Sequence, residues 1–149
     1  KYDNIRIGIN GRLDTLQAAI LLEKLSIFPD EVIKRNRVAE YYTENLPSRY
    51  IAPFVPENHL SSWAQYSILI ESYEERDEII KLLSKQNIPS MIYYRKPLHL
   101  QKVFDYLCYK MGDFPISEKI SDNIFSIPMH SYLETSEQDV ILEALHAAM

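Results

Sequence analysis

Leu13, Leu16, Ile20, Leu21 and Leu25 fall at helical spacing within residues 13–27, among strong helix formers, and predict the best-defined helix of the chain. Pro29, followed by Asp30 and Glu31, suits either a kink or a new first turn with acids at its positive end. Val32, Ala39 and Leu46, seven apart, then carry a second helix to about Leu46. Pro47, Pro53 and Pro56 break it, leaving 47–61 as an irregular connection. From Trp63 to Ile70 the pattern alternates, with Ala64, Tyr66, Ile68 and Ile70 on one face, and predicts a strand. Ser72 and Glu75 form a capping-box pattern that opens a helix through Ile79, Leu82 and Leu83 to about Gln86, where Asn87 ends it. A second strand is predicted over Ile88–Tyr94, short helices over 98–107 and 115–122, and a brief apolar strand over Ile124–Ile127. Thr135 and Gln138 repeat the capping pattern before a last helix with Ile141, Ala144, Leu145 and Ala148 on one face.

The order of elements predicts an α/β (α+β) fold with a small sheet of about three strands covered by helices. No internal repeat or low-complexity tract interrupts it. The helices over 13–46 exceed what such a sheet can cover, so this segment is expected to dock on a second copy or another domain, with the small α/β domain at 62–149. Leu21, Leu22 and Leu25 lie beside Leu13, Leu16 and Ile20 on more than one helix face, which predicts packing on two sides and self-association of the chain.

Composition narrows the function classes. The 149 residues fit one domain, and 16 Lys+Arg against 21 Asp+Glu give a net charge of -5, the wrong sign for a nucleic-acid binder. Three glycines leave no material for a glycine-rich phosphate cradle. The single Cys108 permits no internal disulfide and no Cys-based zinc site, which fits a reducing, cytoplasmic setting. No apolar run reaches the ~18 residues of a membrane span, and the start KYDNIRIGIN has no signal-peptide pattern. The chain starts at Lys1 and has its first Met at position 91, as expected for a piece of something longer.

Self-sufficient chemistry is not legible. His59, His99, His130 and His146 are scattered, no serine sits in a nucleophile elbow, and Cys108 in YLCYK reads as a buried small residue. Two segments carry more. In GINGRLD, Gly8 and Gly11 flank Asn10 just before the best helix. Either the backbone N–H groups there, with Asn10 and Arg12, hold an anion, or the segment is a turn that caps the helix. In YYRKPLH, Tyr93 and Tyr94 end the predicted second strand beside Arg95, Lys96 and His99. This is a place for a sugar ring or carboxylate, or a half-buried strand end with a solvated basic turn.

Five separated stretches in order, GINGRLDTLQAAILLEKL, RNRVAEYY, SSWAQYSI, RDEIIKLLSKQNIPSMIYYRKPLHLQ and FSIPMHSYL, resemble the C-terminal portion of the DegT/DnrJ/EryC1/StrS family of pyridoxal-phosphate-dependent sugar aminotransferases. The AQY and YYRKPLH variants are most similar to members that aminate the 3-keto position of UDP-linked N-acetylated sugars. The resemblance implies a fold-type-I aminotransferase architecture, homodimers whose active sites draw on both subunits, pyridoxal 5'-phosphate as cofactor, glutamate as amino donor and a keto sugar nucleotide as acceptor. It places Asn10 on the partner site's cofactor phosphate and Arg12 near the substrate. A His-Tyr pair that faces the sugar nucleotide falls on Tyr93 and Tyr94, the first position departing from His, and His99 takes the family's PxH-type position. The family's Schiff-base lysine, its pyridinium-pairing Asp and its ring-stacking aromatic would all precede Lys1, and none of the nine lysines here has a matching context. The chain alone is therefore expected to bind no cofactor and to be inactive. The alternative is a stand-alone binding or regulatory module derived from the family.

Overall fold

A computed structural model describes residues 4–11 and 13–148. The element order is α1 (Thr15–Asn45), β1 (Tyr66–Leu69), α2 (Tyr73–Lys85), two short 3-10 turns (Leu98–Leu100 and Lys102–Leu107), α3 (Pro115–Asn123), β2 (Ile124–Ile127) and α4 (Thr135–Ala147).

The expected pair of N-terminal helices is one helix of 31 residues that runs through Pro29. Proline removes one backbone donor and crowds the preceding turn. Strong helix formers on both sides keep the rod continuous here. Its two halves differ in environment. Val38, Ala39 and Tyr42 are buried, whereas Leu16, Ile20, Leu22 and Leu25 are 78, 62, 70 and 64% exposed. Ile5, Ile7 and Ile9 in the preceding segment are exposed as well. The apolar surface expected from the sequence is therefore present, and it belongs to the chain entering α1 and to the first half of that helix.

Among the described residues the sheet has two strands, not about three. β1 and β2 pair antiparallel with Tyr66 opposite Ile127 and Ile68 opposite Phe125. Ile51 adds a one-residue bridge to Leu69 on one edge, and Met91 adds another to Ser126 on the other. The strand expected over 88–94 contracts to that Met91 bridge, because Pro89 offers no donor before it and the chain turns away from Tyr93 onward. The alternating face of β1 behaves as predicted: Tyr66, Ile68 and Ile70 are buried. The helix predicted at 98–107 divides into the two 3-10 turns, with the Cys108 backbone in the left-handed region at its end (φ 59°).

The core lies between the sheet, the second half of α1, α2 and α4. Tyr42 and Tyr66 stack at 5.1 Å between ring centroids, and their hydroxyls find Pro128 O at 3.0 Å and Thr43 Oγ1 at 2.7 Å. Burial pushes both phenols upward. Gln138 on α4 donates to Val38 O at 2.9 Å and ties α4 to α1. Trp63 Nε1 donates to Asn36 Oδ1 at 2.9 Å, and Arg35 donates to Trp63 O at 2.9 Å, so the connection before β1 is fastened to α1. Ser72 caps α2 as expected and Asn87 ends it at φ 60°. The cap of α4 is shifted by one residue from the expected Thr135: Glu134 and Glu137 form the reciprocal box, a longer side chain doing what a hydroxyl does elsewhere.

Candidate functional site

The turn that follows the Met91 bridge brings Tyr93 and Tyr94 to a cleft of about 490 Å³. One wall is Tyr93, Tyr94, Lys96, Leu98 and Gln101; the other is Ser117, Ile120 and Ser121 of α3, with Ile124 at the start of β2 and Asn4 of the entering chain completing it. The two tyrosine rings sit edge to face at 5.7 Å, and the peptide between them is cis. Tyr94 is 55% exposed. Tyr93 also borders a smaller cavity of about 200 Å³ next to Ser90 and Met91. Aromatic faces, hydroxyls, two serines and a lysine around an open apolar floor suit a polar ring carrying an anionic group.

Next to Ser121, Arg76 of α2 is 1% exposed. Its guanidinium donates to Ser121 O at 3.0 Å and to Asp77 Oδ1 at 2.9 Å, and it stacks 4.6 Å from the Tyr73 ring. Desolvation raises the Asp77 carboxyl, but hydrogen bonding and charge from Arg76, with Arg95 at 3.9 Å, outweigh it and hold the group below the usual carboxylate range.

His99 does not line the cleft. Its imidazole meets Glu118 Oε1 at 2.9 Å and packs on the Phe114 ring at 4.8 Å, with the side chain 7% exposed. Glu118 also accepts from the backbone N–H groups of Gly112 and Phe114. Asn10 is exposed and is likewise absent from the cleft wall. Arg12 lies outside the described residues. At the start of α1, Asp14 caps the helix and accepts from Gln17 N at 2.8 Å. Asn10 lies upstream of this cap. Gly8 and Gly11 on either side of Asn10 have open space where a side chain would stand, with the Ile9 side chain alone near Gly11.

Cys108 is exposed rather than buried, since its left-handed backbone ends a turn at the surface. His59, His130 and His146 hydrogen-bond locally to backbone groups. Among the described residues no three His, Cys, Asp or Glu side chains gather as metal ligands, and no helix is long and apolar enough to cross a membrane. The sequence reading missed Asn4, Gln101, Ser117 and Ser121. Gln101 carried a signal, as the polar position following Leu98 and Leu100 at the end of YYRKPLHLQ.

The model of the DegT/DnrJ/EryC1/StrS aminotransferase family matches residues 1–146. The chain is 36% identical to the UDP-2-acetamido-2-deoxy-3-oxo-D-glucuronate aminotransferase of Pseudomonas aeruginosa, covering 97% of this chain and 39% of that protein. A crystal structure of a DegT DnrJ EryC1 StrS aminotransferase from Brucella abortus superimposes with a TM-score of 0.82 at 46% identity, over 99% of this chain and 39% of that one. The PLP-form of the putative sugar aminotransferase Spr1654 from Streptococcus pneumoniae gives 0.82 at 27% identity, over 92% and 36%. The chain thus spans about two fifths of the proteins it matches.

Proposed function

The chain belongs to the DegT/DnrJ/EryC1/StrS aminotransferase family, and on that premise we propose that it serves the transfer of an amino group from glutamate to a keto sugar carried on a nucleotide. In this reading it is the C-terminal part of a fold-type-I aminotransferase, with 62–149 as the small domain and 13–46 as the interface segment. A large domain supplies the lysine that carries pyridoxal 5'-phosphate, and the assembled enzyme is a homo-oligomer. The likeness to the Pseudomonas aeruginosa enzyme favours a UDP-linked 3-keto sugar.

The observation that carries the reading is the bare apolar surface from Ile5 to Phe28, on the same stretch of chain as Asn10. Leucines 53–78% exposed on one half-helix need a covering surface, and a site that includes Asn10 is completed by whatever covers them.

When bound, pyridoxal phosphate supplies the electron sink that lets a proton leave the carbon bearing the amino group. The residues of this chain bind and orient. Asn10 would hold the cofactor phosphate through its side-chain amide, which stands between Gly8 and Gly11 in open space. Arg12 holds an anionic part of the substrate. Tyr93 and Tyr94 offer ring faces and hydroxyls to the sugar, and Lys96 beside them offers charge to the diphosphate. His99 serves the substrate through the cleft wall that it braces.

The chain incubated with pyridoxal phosphate and glutamate and then reduced with borohydride is expected to keep its unmodified mass. One lysine modified in full yield would overturn the assignment of the cofactor lysine to another part of the enzyme. Titrating UDP against dTDP, followed at the Tyr93 and Tyr94 ring resonances, tests the substrate side; shifts with neither nucleotide count against the cleft.

A further inference from the structure

The side chain of Gln101 is buried, with the residue 2% exposed, at the base of the cleft wall. Its Oε1 accepts from Asn4 N at 2.9 Å, and its Nε2 donates to Lys96 O at 3.1 Å. Next to it, Val103 N donates to Asn4 O at 3.0 Å, so Asn4 is held by both its backbone groups. The backbone of Gln101 is itself fixed, donating to Leu98 O at 3.0 Å and accepting from Phe104 N at 2.8 Å. One primary amide thus joins two segments far apart in sequence: the turn that follows Tyr93 and Tyr94, and the chain entering toward Asn10. A side chain that serves both needs a donor and an acceptor.

Extending the reading given above for Asn10 and the tyrosine cleft, we propose that Gln101 is the positioning residue that keeps the two in register. Asn10 lies six residues beyond Asn4, a reach of at most about 20 Å of extended chain. Pinning Asn4 at the cleft rim sets where that reach begins. The Lys96 carbonyl, held by the other end of the amide, sets the turn that aims Tyr94. An error at Gln101 therefore displaces both groups together; Gln101 itself lies in the cleft wall with its amide turned to Asn4 N and Lys96 O. Removing the amide leaves the Lys96 carbonyl and the Asn4 N–H without these partners, a cost that favours undocking of the entering segment.

The test uses the isotope-labelled chain and two variants. In Gln101→Met, amide exchange at Asn4 and Val103 is expected to rise at least tenfold while Ile68 and Phe125 in the sheet keep their protection. Gln101→Glu retains the acceptor for Asn4 but, ionised, lacks the donor for Lys96. Its Asn4 and Val103 amides should stay protected, while the Tyr94 ring resonances shift and return toward the parent as acidification restores an O–H donor. Unchanged exchange in Gln101→Met, or Tyr94 resonances in Gln101→Glu that do not respond to pH, would overturn the proposal. If Gln101→Met fails to fold, Gln101→Glu alone decides. UDP titrated into the parent separates the two readings: absence of binding removes the substrate assignment of the cleft, whereas the exchange results judge the clamp regardless.

Discussion

His99 Nε2 and Glu118 Oε1 meet at 2.9 Å and join the two walls of the tyrosine cleft, since His99 follows Leu98 on one wall and Glu118 follows Ser117 on the other. A charged or polar pair in this place fixes the width of the cleft without entering it.

The same carboxylate makes the wall sensitive to acid. Desolvation raises Glu118, but the Gly112 N–H, the His99 imidazole and the Phe114 N–H outweigh it and hold the carboxyl below its ordinary range. Its contribution is therefore present above the unfolded carboxylate pKa and is lost as pH falls through the lower folded value. Amide exchange at Gly112 and Phe114, corrected for intrinsic rates, should rise on acidification through that range. In Glu118→Gln it should be raised about tenfold at neutral pH, the effect of one lost charge-assisted hydrogen bond. Exchange independent of pH would refute the account.

Arg76→Met should cost about 2–3 kcal/mol in urea unfolding, because it strips Ser121 O and Asp77 of a buried donor. Ser121 Oγ, by contrast, is buried without a hydrogen-bond partner among the described residues. Ser121→Ala is expected to leave stability within about 0.5 kcal/mol of the parent or to raise it. A loss from Ser121→Ala as large as that from Arg76→Met would show an unseen partner for the hydroxyl.

Sedimentation should find the chain associating as its concentration rises, through the leucines at the start of α1. Leu22→Lys with Leu25→Lys should return it to a monomer with unchanged unfolding, since both side chains are exposed at 70 and 64%. A monodisperse monomer of the parent at high concentration contradicts this.

Asp14→Ala should destabilise the first turn of α1 by about 1 kcal/mol. Because that end is unpacked, the loss should appear as reduced helical ellipticity at 222 nm on mild heating, with the main unfolding transition unmoved. A shift of the main transition would mean that the two halves of α1 melt together.

Where local chemistry and tertiary packing agree, the sequence was a sufficient guide. The strand at Ile124–Ile127 appears over the predicted residues, α2 begins at its predicted Ser72 cap, and the bare leucines of α1 could be read from their spread around the helix. The misreadings arise where a non-local partner decides. The apolar and aromatic run over 88–94 could not reveal that, among the described residues, Met91 alone of this stretch finds a strand to pair with. Pro29 looks like a boundary by its backbone chemistry, yet the helix formers around it carry the rod through. At the site, Tyr93 and Tyr94 were visible as an aromatic pair beside basic residues. Gln101 stands out only as a polar residue after two leucines, because its role depends on Asn4, 97 residues away in sequence. The YYRKPLH cluster and the resemblance both put His99 near a substrate; its side chain is turned toward Glu118.

The continuity of α1 through Pro29 has a mechanical consequence. Thirty-one residues make a rod of about 46 Å, clamped at one end by Val38, Ala39 and Tyr42. A tilt of about 5° at the clamp carries Leu16, roughly 33 Å away along the axis from Val38, through about 3 Å. The helix is a lever: small adjustments in the core are magnified at its leucine-bearing tip, and whatever grips that tip in turn holds the core still.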